Sequence, residues 1–324
     1  MEPKVNDITK RGPSLSVVIP CYNEEPAIRE TNSRVSALVG TYAERGIISD
    51  YEIIYVNDGS KDATLKILKE LATENDKLRI ISFSGNFGHQ AALTAGLHHA
   101  GGDVAVSLDA DLQDPPEVME AMLAKYAEGA DIVFGVRSNR EQDTFFKRFT
   151  AESFYKLMHV MGVNVVYNHA DFRLISRPVL DEFKHYGEIN RFLRGIFPSM
   201  GFVQASVEYS RDKRIAGETK YPLRKMLAFA LEGITSFSNF PLRLAFILGF
   251  ANFVVALFLV AWTLMTKLKG NAIPGWASIV VPLYLFGGIQ LMFIGVLAEY
   301  VGKIYMEVKH RPIFTIREKV NFRD

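Results

Sequence analysis

Residues 103–117 read "DVAVSLDADLQDPPE". The apolar first half has the character of a strand. The second half gathers Asp109, Asp111, Gln113 and Asp114, and Pro115-Pro116 forbid the strand from continuing. Carboxylates this close repel one another unless something positive lies between them. The stretch is therefore either a polar turn or a hard-cation site whose oxygen ligands also hold a phosphate-bearing substrate. Its surroundings decide between the two.

Working outward, strand-like runs occur at 15–20 ("LSVVIP"), 52–58 ("EIIYVND"), 78–83 ("LRIISF"), 103–111 and 131–137 ("DIVFGVR"). Helix-like stretches lie between them at about 26–45, 63–75, 89–100 and 118–128. Such alternation with apolar strands predicts a Rossmann-like α/β domain, a mostly parallel sheet covered on both faces by helices. Open sheets of this kind bind ligands beyond the carboxyl ends of their strands. Both "NDGS" (57–60) and "DAD" (109–111) fall at such ends, which favours the site over the turn.

Beyond residue 145 the sequence predicts a helix over "FFKRFTAESFYKLMHVMG", a loop reaching "NHADFRLISR" and an edge strand in "VQASVEYSR". From Pro222 the apolar positions Leu223, Met226, Leu227, Ala230, Leu231, Ile234 and Phe237 recur at helical spacing. This amphipathic helix either lies in a membrane interface or packs on the soluble domain. Residues 244–265 and 277–298 contain no charge, and each is about the 20 residues a helix needs to cross the hydrocarbon core.

The expected organisation is a globular domain over 1–221, a juxtamembrane helix over 222–240, two spans within 241–302 and a tail over 303–324. Between the spans lie only Lys267 and Lys269, whereas the flanks carry Arg224, Lys225 and Arg243 before and Lys303, Lys309 and Arg311 after. The positive-inside rule then makes this a multi-pass protein of the cell (inner) membrane, with the globular domain and both termini cytoplasmic.

In the 324 residues, 37 basic side chains balance 36 acidic ones, so no cationic field for nucleic acid is implied. Cys21 is alone, which excludes an internal disulfide and a cysteine-based zinc site. The polar N-terminus lacks the apolar core of a signal peptide. Seven histidines are scattered without metal-ligand spacing and read as ordinary core or surface residues; His89 receives no role.

"VVIPCYNEEPAI" (17–28), "NDGSKD" (57–62), "SLDADLQDPPE" (107–117) and "AGETKY" (216–221) occur in one order and spacing. Together they resemble the family 2 glycosyltransferases of GT-A fold, and more narrowly the polyprenyl-phosphate branch of dolichol-phosphate mannose synthase and the bacterial bactoprenol glucosyltransferases. The two C-terminal spans match the bacterial members as well. The resemblance implies an inverting hexosyltransferase that moves a sugar, UDP-glucose being the favoured donor, onto a polyprenyl phosphate in the membrane. It implies Mg²⁺ or Mn²⁺ held by Asp109, Asp111 and Gln113. Pro20, Tyr22, Asn23, Glu24, Asp58, Ala110 and the two acids match the nucleotide pocket, with Asp58 on the base. Asp171 matches the acid near the acceptor, read as a general base, as an orienting carboxylate, or as a loop-shaping partner of Arg173.

Arg137 and Arg148, with Lys147 beside the latter, are candidates for the lipid phosphate, and Arg211, Lys220 and Tyr221 for that phosphate or the diphosphate. A homo-oligomer is expected. Other donors (GDP-mannose, UDP-N-acetylhexosamines, an aminoarabinose donor) and a non-catalytic nucleotide-sugar-binding protein stay open. A processive polysaccharide synthase is disfavoured because no Arg-Trp pair occurs, and a P-loop enzyme because no Gly-Lys-Ser/Thr follows a strand.

Overall fold

The computed structural model describes residues 12–137, 169–189, 191–210, 242, 245–251, 254–255, 258, 261–262, 265 and 276–322. Eight strands are described: β1 (Leu15–Cys21), β2 (Tyr51–Asn57), β3 (Leu78–Phe83), β4 (Val104–Ser107), β5 (Ile132–Arg137), β6 (His169–Ser176), β7 (Gln204–Tyr209) and β8 (Ile316–Val320). They form one sheet in the order β7-β5-β6-β4-β1-β2-β3-β8. β4, β1, β2 and β3 run parallel, and β5 pairs parallel with β7. β6 runs against both β4 and β5, and β8 runs against β3.

The parallel centre follows from composition. Every residue of β1 is buried, as a strand covered on both faces requires. Helices α1 (Ile28–Glu44), α2 (Thr64–Glu74), α3 (His89–His99) and α4 (Val118–Ala127) connect the first five strands. These agree with the predicted helices to within two residues at each end. α3 lies close on the sheet because Gly96 has no side chain; a Cβ there would stand 2.2 Å from Val18 Cγ1. Two short helices, α5 (Arg177–Phe183) and α6 (Leu193–Ser199), follow β6.

Three features depart from the sequence reading. β4 stops at Ser107, four residues short of the predicted strand end. Leu108 N–H still donates to Val18 O (3.0 Å), but by Leu112 the backbone has turned to φ +53°. Second, "HADFRLIS" is not a loop but strand β6, set between β4 and β5. Its Asp171 and Arg173 neutralise each other inside the sheet, so two charges occupy a buried strand and hide its apolar pattern. Third, the expected tail contains β8, which covers the free edge of β3.

The chain divides into two units. Met1–Tyr155, Asn164–Tyr221 and Pro312–Asp324 make up the first; Lys156–Val163 and Pro222–Arg311 make up the second. The second contains α7 (Trp276–Val308), a helix of 33 residues. Its stretch Ile289–Val308 is the one segment among the described residues long and apolar enough to cross a membrane. The predicted span 277–298 thus lies within a longer helix. Of the predicted span 244–265, residues 245–251 are helical and much of the rest lies outside the described residues. So do the helices predicted within 145–162 and 222–240.

Candidate active site

The site grows from the loops that leave the carboxyl ends of β1, β2, β3 and β4. A cavity of about 430 Å³ is lined there by Pro20, Tyr22, Glu24, Asp58, His89, Asp109, Ala110 and Asp111, among others. Seven of those eight are sequence candidates. Asn23 is not among the lining residues; its backbone sits at φ +56° and it stitches two loops together. Its N–H donates to Ser60 Oγ (3.0 Å), and Lys61 N–H donates to its Oδ1 (2.8 Å). Gly59 must be glycine: φ is +68°, and a Cβ would stand 2.4 Å from the Gly85 carbonyl carbon.

Asp58 is 4% exposed. Its carboxylate accepts the N–H groups of Phe87 (2.6 Å) and Gly88 (2.9 Å). Burial raises its pKa and these two bonds oppose the rise. Asp58 therefore fixes the loop after β3 as well as facing the cavity. Thr31 in α1 fixes the acidic loop from the other side, its hydroxyl donating to Ala110 O (2.7 Å).

Asp109 and Asp111 both face the cavity. Burial raises the Asp109 carboxyl; His89 opposes this, while Asp171, Asp114 and Asp111 add to it. A cation between the acids would relieve that repulsion. Two carboxylates also fit what Mg²⁺ takes from a protein when phosphate oxygens and waters fill its other positions. Gln113, the expected third ligand, is buried and is not among the lining residues; its N–H donates to Asp111 Oδ1 (3.1 Å), closing a turn. Of the three expected ligands, only Asp109 and Asp111 are therefore among the residues lining the cavity. Among the described residues no group of three or more His, Cys, Asp and Glu side chains is arranged to hold a metal.

Asp171 lies at the heart of a charged cluster. Ser107↔Arg173 is a β4–β6 pair, which brings Asp171 beside Asp109 although the two are far apart in sequence. Arg173 Nη2 donates to Asp171 Oδ1. Arg194 in α6 grips the same carboxylate with Nε on Oδ1 (3.2 Å) and Nη2 on Oδ2 (3.0 Å). His89 Nε2 stands 3.5 Å from Asp171 Oδ2 and 3.6 Å from Asp109 Oδ1. Burial pushes Asp171 up, but Arg194, His89 and Arg173 together outweigh it and hold its carboxyl well below the usual range. Burial lowers the His89 pKa, but Asp171 and Asp109 outweigh it and raise it above the usual histidine value. The Arg173 pairing foreseen from sequence is present, and Arg194 and the His89 imidazole accompany it.

Arg137, read as a phosphate clamp, grips Asp114 through Nε (3.2 Å) and Nη2 (3.0 Å), and Tyr209 Oη donates to the same carboxylate (2.7 Å). Arg137 remains partly exposed beside this buried acid. Arg148, Arg211, Lys220 and Tyr221 lie outside the described residues. Sequence reasoning missed His89, Arg194 and the Asp114–Arg137–Tyr209 triad. The available signals were the loop "NFGH" (86–89), which enters α3 at a strand end, and the basic pair in "RFLRG" (191–195). Cys21 lines the cavity, but burial first, then Glu24, Asp58 and Asp62, push its thiol far up, so it is no thiolate nucleophile.

A mixed sheet whose parallel strands end in a cavity lined by an Asp-x-Asp pair is the architecture of the GT-A-type glycosyltransferases. The chain belongs to glycosyl transferase family 2, whose sequence profile matches residues 16–184. It is 46% identical over 307 residues to an uncharacterised glycosyltransferase of Bacillus subtilis, YkoT, covering 94% of this chain and 91% of that one. It is 43% identical to a prophage bactoprenol glucosyl transferase homologue of Escherichia coli K12 (94% and 98% covered). It is 42% identical to the bactoprenol glucosyl transferase of Shigella phage SfV (94% and 98%). Among solved structures, mannosyl-3-phosphoglycerate synthase from Rubrobacter xylanophilus superposes with a TM-score of 0.51 at 16% identity, covering 69% of this chain and 73% of that one. That likeness concerns the fold alone.

Proposed function

We infer that the chain transfers a glucosyl residue from a nucleotide sugar, UDP-glucose being the favoured donor, to polyprenyl phosphate. The observation that carries this reading is the 42–43% identity to bactoprenol glucosyl transferases across 94% of the chain. The cavity chemistry agrees with it. In the inverting displacement a phosphate oxygen of the acceptor forms a bond to the anomeric carbon, the bond from that carbon to the diphosphate breaks, and UDP departs.

The acceptor phosphate has a second pKa near 6, so by that figure it is mostly a dianion at neutral pH. It needs no base. Asp171, ionised and clamped, is a poor proton acceptor and is better suited to orienting the acceptor or stabilising positive charge on the sugar ring. Asp109 and Asp111 are the residues that would hold Mg²⁺ or Mn²⁺. When bound, such an ion neutralises the charge of the departing diphosphate. Tyr22, Glu24 and Asp58 line the side of the cavity assigned to the nucleoside.

The same reading attaches the enzyme to a membrane, with residues 222–240 as a juxtamembrane helix and two crossings thereafter. Two facts support it. The chain leaves the first unit after Tyr221, rejoins it at Pro312 and adds β8 to the same sheet, and a return to the starting side takes an even number of crossings. Basic residues also flank the apolar segments on that side. The catalytic unit and both termini are then cytoplasmic.

The test is turnover of the purified protein in detergent with a panel of labelled nucleotide sugars and undecaprenyl phosphate. A glucosyl-lipid formed from UDP-glucose, with one UDP released per glucosyl transferred, is expected. Transfer from a different donor would overturn the sugar assignment. Nucleotide-sugar binding without transfer from any donor would overturn catalysis.

A further inference from the structure

The loop between β3 and α3, "SGNFGH" (84–89), supplies Asn86, Gly88 and His89 to the cavity. A Cβ on Gly85 or Gly88 would meet nothing within 4 Å and Gly88 sits at φ +94°, while the Gly85 carbonyl packs closely on Gly59. Several contacts restrain the loop, and Asn86 Nδ2 donates to Asp58 O (3.3 Å). On the cavity side the Asp58 carboxylate holds the N–H groups of Phe87 and Gly88. On the far side Ser84 N–H donates to Thr315 O (3.0 Å), just ahead of β8.

An aromatic chain joins the same two places. Phe314 stacks on Phe83 with ring centres 5.0 Å apart and planes at 12°. Phe83 meets Phe87 edge-on at 5.6 Å and 88°. The β3–β8 register shifts between Ser82 and Phe83, an irregularity of the kind that re-aims a side chain. Phe83 is nearly fully buried, whereas Phe87 is 39% exposed, so Phe87 owes its position largely to the Phe83 edge and to Asp58.

We propose that Phe314 is a positioning residue for the donor pocket, acting through Phe83 and Phe87 on the backbone that Asp58 grips. This rests on the reading of the cavity as the nucleotide-sugar site. It gives the segment immediately after α7 a part in donor binding that none of the pocket-lining residues reveals. Removing the ring frees Phe83 to shift, loosens Phe87 and misplaces Asn86, Gly88 and His89.

The experiment uses the full chain in detergent and UDP as the probe. In Phe314→Ala the Kd for UDP and the KM for UDP-glucose should rise about two- to tenfold, the factor corresponding to about 0.5–1.5 kcal/mol for one aromatic pair. The KM for undecaprenyl phosphate should stay unchanged. Phe314→Tyr keeps the stack and should restore wild-type values. Glu318→Gln, which breaks the exposed Lys69–Glu318 pair (2.8 Å) elsewhere on β8, should leave UDP binding alone.

A folded Phe314→Ala protein with wild-type UDP affinity overturns the proposal, as does an equal loss in Glu318→Gln. Should Phe314→Ala not fold, Phe314→Leu is held to the same readouts. Wild-type protein that binds no UDP removes the donor-pocket reading itself and this inference with it. Wild-type binding matched by the folded variant removes only this inference.

Discussion

Asp171→Asn separates a scaffold from a base. The substitution keeps the shape of the side chain and removes its charge. Arg194, 29% exposed, can turn toward water, but Arg173 is 1% exposed and cannot. Breaking a buried pair by neutralising one partner costs about 3–5 kcal/mol, because the other charge stays buried and uncompensated. Arg173 keeps its bond to Leu193 O (3.1 Å), its place over the Phe197 ring at 5.1 Å and the more distant charge of Asp109. For a unit of this size each kcal/mol moves Tm by about 2–4 °C, so a fall of about 6–20 °C is expected.

The pH dependence carries a sign. The folded-state pKa of Asp171 is depressed, so its stabilisation is fully present above the unfolded value of about 3.9 and fades as pH falls below that. The Tm gap between wild type and Asp171→Asn should therefore narrow below about pH 3.9; between pH 8 and 5 it should widen as pH falls, because Asp171 also raises the His89 pKa and that contribution is present only below the raised value. Turnover at 20 °C should fall, yet its acid limb should stay near pH 6, where the acceptor phosphate titrates. Differential scanning fluorimetry and a pH–rate profile on the two proteins measure both. A Tm within 2 °C of wild type would refute the scaffold argument. An acid limb that disappears with Asp171 would reinstate the base.

Asp109→Ala and Asp111→Ala should each abolish glucosyl transfer while leaving the thermal melt near that of wild type. Excess chelator should abolish wild-type turnover and added Mg²⁺ or Mn²⁺ should restore it; full activity in chelator would remove the metal from the reaction. Gly59→Ala forces a left-handed residue into a 2.4 Å clash with the Gly85 carbonyl carbon. It should cost at least the roughly 1–3 kcal/mol of a strained conformer, read as a lowered Tm and weakened UDP binding. Protease added to sealed inside-out vesicles should digest the catalytic unit, and protection there would invert the topology.

Much of the donor half was legible in the sequence because local signals carry it. β1 to β3 and their helices follow apolar runs and turn residues that need no distant partner. Asp58, Asp109 and Asp111 were visible as acids at strand ends. What escaped depends on contacts far along the chain. β6 looks like a loop because Asp171 and Arg173 break its apolar run, and only the pairing of those two charges with each other and with Arg194 makes the strand buriable. His89 gains meaning only when β6 brings Asp171 beside Asp109. Arg137 ends a strand, as a phosphate ligand would, but it also pairs with Asp114, brought there by the fold. β8 was hidden because three of the five residues in "IREKV" are charged, as in an edge strand guarded against further pairing.

The place of β8 also imposes a schedule on synthesis. Its partner β3 ends at Phe83, and β8 ends at Val320, so 320 − 83 = 237 residues are made between them. At roughly 5–20 residues per second this takes about 12–47 s. Throughout that interval the outer edge of β3 has no partner from its own chain, and an open edge invites a strand from a neighbouring nascent chain. The closing piece arrives only after α7 has been translated. A ribosome that stalls within α7 would release a sheet with one raw edge, and such truncated chains are expected to aggregate through β3.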